Sequence, residues 1–85
     1  MPVTLDLLPL NCQARIVAVD WDALAPDEGK RLRSLGLDAG ARVAIAHRGI
    51  FAGRDPIALS LGRMTVAVRR AHARAMTVEA VDSER

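Results

Sequence analysis

Aromatic residues are almost missing from this 85-residue chain, which has one Trp, one Phe and no Tyr. Single-stranded nucleic acids are held largely by bases stacked on aromatic rings, and proline-rich peptides lie in aromatic-lined grooves, so both partner classes lose their usual chemistry here. Cysteine is nearly as scarce. Cys12 stands alone, which excludes an internal disulfide and any multi-cysteine zinc or iron–sulfur site within one chain, and suits a reducing compartment. Long apolar runs are lacking too. The longest, Ile16 to Val19 and Val43 to Ala46, fall far short of the roughly 18 residues that cross a bilayer, and Met1 to Leu10 has no basic start followed by an apolar block. A soluble cytoplasmic protein is expected.

The chemistry-bearing residues are as thin. Nucleophilic catalysis needs a Ser, Thr or Cys beside a base with an orienting acid, and Cys12, His47 and His72 stand in no recognisable motif, so no enzyme is expected. Gly36, Gly40, Gly49, Gly53 and Gly62 are spread singly at turn positions, and no Gly-Lys-Ser/Thr follows any of them to cradle a phosphate. His47, His72, Cys12 and Asp55 show no metal-ligand spacing such as two histidines one helical turn apart. No cofactor is expected, with a transition-metal ion as the weaker alternative.

What is present suits a compact core of small branched side chains, since half the residues are apolar and most of these are Ala, Val and Leu. A chain this short buries only about 60 to 65% of its unfolded surface, so the core is thin, and self-association is one route to extra stability. Net charge is +2, but the charges are sorted along the chain. Lys30 to Arg74 holds ten Lys/Arg against Asp38 and Asp55, whereas Met1 to Gly29 holds five acids against Arg15. The middle of the chain is therefore its electropositive part.

After residue 40 apolar residues alternate with period two: Val43 and Ile45, then Ile57, Leu59 and Leu61, then Val66 and Val68. These predict three half-buried strands. Gly62-Arg63 between the last two predicts a type II′ hairpin turn, because glycine accepts the positive φ of the first turn position. Ala14 to Asp20 and Ala75 to Val81 predict two more strands, the latter with Met76 and Val78 inward. Five short strands with tight links suggest a meander closed into a small barrel. One helix is predicted from Pro26 or Asp27 to Leu35, where early acids Asp27 and Glu28 and later bases Lys30, Arg31 and Arg33 complement the helix dipole. With Gly36 as the left-handed C′ residue, Leu37 and Leu32 become the pair that touches across a Schellman turn. Leu32, Leu35 and Leu37 then pin the helix to one end of the barrel. Residues 1–81 are expected to form one domain, followed by a polar tail over 82–85.

The stretch Arg31-Leu32-Arg33-Ser34-Leu35-Gly36-Leu37-Asp38-Ala39-Gly40-Ala41-Arg42-Val43 resembles the FeoA family's pattern of Arg-Leu, two residues, Leu-Gly-Leu, two residues, Gly, then a Val-rich strand. Gly53-Arg54-Asp55-Pro56-Ile57 is similar to the family's Gly-Asp-Pro-Ile segment with one residue inserted, and Val66-Ala67-Val68-Arg69 to its Ile-Ala-Leu-Arg strand end. Leu5, Leu8, Ala14, Arg15 and Ile16 match its opening, so the resemblance spans nearly the whole chain. Two departures stand out: Leu10-Asn11 replaces a frequent Pro-Gly, Asn being the non-glycine residue best suited to a left-handed turn, and His72 stands where an acid is common.

The resemblance implies a mainly β, SH3-like barrel of about five strands, with one short helix between the first two. It implies an accessory role beside FeoB, a membrane transporter of ferrous iron with a cytoplasmic GTP-binding domain. Leu32, Leu35, Gly36, Leu37, Gly40 and Pro56 are its fold-defining residues. The docking surface on the transporter's cytoplasmic part is assigned to Ile50, Phe51, Arg54, Arg69 and Arg70, since apolar side chains ringed by Arg have the composition of an interface anchor. The alternatives are an iron-responsive regulatory barrel, because iron-dependent repressors carry a related barrel, and a small nucleic-acid binder using arginine–phosphate contacts.

Overall fold

The computed structural model describes residues 2–47 and 56–81, with nothing described for the side chain of His47. Six strands form one curled antiparallel sheet: β1 (Val3–Thr4), β2 (Ala14–Val19), β3 (Arg42–His47), β4 (Ile57–Leu61), β5 (Met64–Val68) and β6 (Met76–Ala80). Their order across the sheet is β1-β6-β2-β3-β4-β5, so the meander β2 to β5 is extended by the last strand returning beside β2. Helix α1 (Pro26–Ser34) lies between β2 and β3, and a single turn, α2 (Arg70–Ala73), between β5 and β6. Short 3-10 turns at Leu5–Leu7 and Trp21–Ala23 complete the path.

The sheet bends because its pairing slips twice. Between β2 and β6 the register shifts around Val17, and between β3 and β4 it shifts around Ala46. Each bulge adds local twist, and together they curl the ladder into the half-barrel of a small SH3-like fold. Its concave side collects the period-two residues: Val43, Ile45, Ile57, Leu59, Val68, Met76 and Val78 are all buried. Leu5, Leu8, Ile16, Leu32 and Leu37 join them, and the core cluster they form is apolar throughout.

Helix α1 ends as its sequence predicts. Gly36 has φ +99°, the Leu37 N–H donates to the Leu32 carbonyl at 3.0 Å and the Gly36 N–H to the Arg33 carbonyl at 3.0 Å, the two bonds of a Schellman turn. Leu32 and Leu37 are fully buried, but Leu35 is only half-buried and lies outside the core cluster. Its N–H is shared between the carbonyls of Arg31 and Leu32, so the tightened last turn carries its side chain off the buried stripe. Downstream, the Gly40 N–H donates to the Ile16 carbonyl at 2.7 Å, fastening the connection to β2. At the β4–β5 hairpin Gly62 has φ +62° while Arg63 is outside the positive region, as a type II′ turn requires.

Apart from the 3-10 turns, the strand and the helical turn beyond the expected set are both short. β1 has two residues, pairing Val3 with Val78 and Thr4 with Thr77, and α2 has four. Neither is long enough to show a period. Asn11 adopts φ +60°, so the left-handed turn is kept there without glycine. No helix among the described residues is long and apolar enough to cross a membrane.

Candidate functional site

Glu28 and Arg31 are three residues apart on α1, which puts them on one helix face. Arg31 grips the Glu28 carboxylate with two donors, Nη2 at 2.8 Å and Nε at 3.3 Å. The same Nη2 reaches the Ala67 carbonyl of β5 at 3.5 Å, tying the helix to the strand. From the other side α2 brings His72, whose Nδ1 lies 3.2 Å from Glu28 Oε2 but is not aligned for a hydrogen bond. Arg31, by that hydrogen bond, holds the Glu28 carboxyl below the usual carboxylate range; partial desolvation opposes it, and His72 adds a smaller pull. The pair acts reciprocally, raising the Arg31 guanidinium above its already high value.

Around this cluster lies an open cleft of about 540 Å³ lined by Glu28, Arg31, Pro56, Ala67, Arg69 and His72. Arg69 is exposed and caps the start of α2 with extended backbone, and no ion-pair partner for it is found among the described residues. Pro56 forms the exposed rim just before β4. A cleft so lined can receive a carboxylate or phosphate at Arg69 and His72 over the small apolar floor of Ala67 and Pro56.

Of the residues assigned to docking from sequence, Arg69 lines this cleft and Arg70 follows it on α2, while Ile50, Phe51 and Arg54 lie outside the described residues. Leu32, Gly36, Leu37 and Gly40 build the helix end and its return, away from the cleft. Sequence reasoning missed the Glu28–Arg31–His72 cluster. The i,i+3 spacing of Glu28 and Arg31 was a readable signal, but the approach of His72 depends on where the chain places α2.

The charge asymmetry is partly undone by folding. Acids of the first third sit against bases of the middle: Glu28 on Arg31, and Asp6 Oδ2 3.7 Å from Arg74 Nε. Asp38 lies 4.0 Å from Arg33, whose guanidinium also stacks 4.4 Å above the Trp21 ring. Among the described residues no three His, Cys, Asp or Glu converge on a point where a metal ion fits. The Cys12 thiol donates to the Gln13 carbonyl at 3.7 Å, and His72 faces Glu28, so neither is hydrogen-bonded into a nucleophile–base pair.

Comparison with known proteins gives a consistent result. The FeoA domain model matches residues 3–80. The crystal structure of Stenotrophomonas maltophilia FeoA complexed with zinc is 32% identical, over 91% of this chain and 89% of that one, with a TM-score of 0.74. The solution structure of Chlorobium tepidum FeoA is 28% identical over 98% and 74% of the two chains, with a TM-score of 0.78. A manganese-dependent transcriptional repressor shares the fold at 21% identity and a TM-score of 0.78, over 94% of this chain but 42% of its own. No curated protein sequence matches.

Proposed function

The chain belongs to the FeoA domain family, and from that premise we propose that it is a non-catalytic accessory protein of bacterial ferrous iron uptake that binds the cytoplasmic part of a FeoB-type GTP-dependent transporter. The observation that carries this reading is the family match over residues 3–80, supported by the 32% identical S. maltophilia relative, which has been linked to activation of bacterial ferrous iron transport. The protein then works as one domain in the cytoplasm, at the inner face of the membrane through its partner.

The docking surface is the Glu28–Arg31–Arg69–His72 cleft together with Arg70, next to Arg69 in sequence; Ile50, Phe51 and Arg54, assigned to docking from sequence, lie outside the described residues. Lined by two arginines and one glutamate, the cleft offers the cationic, partly apolar character that an acidic partner surface complements. Iron is the transporter's cargo in this reading and needs no site on the chain.

The test is a pull-down of the transporter's cytoplasmic region with wild-type protein and with Arg69→Glu, at two salt concentrations. Recovery by the wild type that weakens with salt and is lost on charge reversal supports the reading. Absence of recovery with a folded wild-type protein refutes it, and a ferrous-iron-dependent rise in thermal stability would favour an iron-responsive regulator instead.

A further inference from the structure

β5 ends the sheet, and among the described residues its one strand neighbour is β4. Which of its backbone groups face outward follows from the register. In a two-residue hairpin the closing pair, here Leu61 and Met64, exchanges both hydrogen bonds, and bonded pairs then alternate along the ladder. Leu59–Val66 and Ile57–Val68 are therefore bonded across to β4, and Thr65 and Ala67 turn their N–H and C=O groups to the open side.

Two separate contacts agree with this phase. The Ala67 carbonyl is the one that Arg31 reaches, from outside the sheet. Two strands away, the Ile45 carbonyl accepts the Asn11 N–H at 3.0 Å, so Ile45 bonds away from its β4 partner Leu59, which leaves Leu59 to bond β5. Thr65 and Ala67 are exposed residues, and the Ala67 end of this edge opens into the cleft at Arg69.

We infer that the outer edge of β5 receives an extended acidic segment of a partner protein as an added strand, with a carboxylate of that segment seated beside Arg69 in the cleft. The inference rests on the docking reading above and names the form and charge of what docks. Main-chain bonds from Thr65 N–H, Thr65 C=O and Ala67 N–H supply the pairing, and the cleft supplies selection for an acid. A second copy of the chain fits the edge badly. Antiparallel self-pairing that uses both Thr65 and Ala67 centres on Val66 and sets Arg63 opposite Arg69 twice, like charges facing across the ladder.

The edge can be tested with the full chain and two labelled peptides, Thr-Val-Thr-Glu-Thr-Val-Thr and the same sequence with Lys for Glu. Amide signals and hydrogen exchange are followed by ¹⁵N NMR. The Glu peptide is expected to shift and protect the amides of Thr65 and Ala67, and the Lys peptide to leave them unchanged. Ala67→Pro removes an outward donor without removing a β4 bond, so it is expected to keep the fold and weaken Glu-peptide binding roughly fivefold. Arg69→Ala is expected to weaken it several-fold while leaving the edge amides in place.

Unprotected Thr65 and Ala67 amides at millimolar Glu peptide, or equal effects of both peptides, overturn the proposal. A parallel pull-down of the transporter's cytoplasmic region separates the two levels of the argument. Equal recovery by wild type and Ala67→Pro overturns the edge and leaves docking intact. Failure of both to recover it, while the Glu peptide still protects the edge, overturns docking on that transporter and upholds the edge.

Discussion

Gly36→Ala isolates the conformational cost of the turn that ends α1. The Cβ of an alanine there meets nothing closer than the Leu61 Cδ2 atom at 3.9 Å, so the change adds no clash. What it adds is an L-residue at φ +99°, some way past the centre of the left-handed well near +57°. Placing an L-residue in that region costs about 1–2 kcal/mol, of which the stiffer unfolded chain returns about 0.4–1. Because the Leu37-to-Leu32 and Gly36-to-Arg33 bonds and the burial of both leucines hold φ in place, the net loss should approach 1 kcal/mol. For a domain of this size that lowers Tm by roughly 4–8 °C.

Differential scanning calorimetry of the variant, with Gly29→Ala beside it, measures the effect. Gly29 is inside α1, outside the positive-φ region, and its new Cβ makes ordinary contact with Trp21 Cε3 at 3.4 Å. Helix propensity alone favours Ala there by about 0.8–1 kcal/mol, so Tm is expected to rise. Two glycine-to-alanine changes seven residues apart should thus move Tm in opposite directions. Shifts of the same sign, or an unchanged Tm for Gly36→Ala, would refute the reasoning.

Asn11, exposed at φ +60°, should accept Gly with no loss of stability, whereas Asn11→Ala should cost about 1 kcal/mol, read as a shift in the urea midpoint. Leu59→Ala empties a fully buried core position and should cost about 2–5 kcal/mol in the same assay, a large share of a small domain's stability. Glu28 titrates below its ordinary value in the folded protein, so its pairing stabilises the fold in full above that ordinary value and is lost as pH falls through the folded one. Glu28→Gln should therefore differ from wild type in stability near neutral pH and converge on it in acid, as followed by thermal unfolding across pH 2 to 7.

The elements longest in sequence were the legible ones. Alternation at Val43, Ile45, Ile57, Leu59 and Val68 placed the core strands, and a single glycine located the Schellman turn, because in both cases the signal is local and repeated or stereochemically strict. β1 was invisible because Val3 and Thr4 gain their pairing from Val78 and Thr77, more than 70 residues away. The cleft was half legible. Arg69 is among the arginines that the sequence places around apolar residues, but Glu28 and Arg31 read as ordinary helix-dipole charges until α2 carries His72 to them. Nor could sorted charges reveal that Asp6 meets Arg74 and Glu28 meets Arg31, since charge order along a chain does not encode contacts.

The apolar core cluster bears on how freely such a chain can drift. A buried hydrogen-bond network ties several positions to particular residue types, and changing one strands the others. Leu, Ile, Val and Met in a core without such a network can exchange for one another as long as total volume is kept, usually for less than about 1.5 kcal/mol. Inheritance therefore acts on spacing more than on identity: the left-handed turns, the two bulges and the alternation must persist while the side chains filling the barrel trade places. Chains that share little more than a quarter to a third of their residues can then keep one backbone.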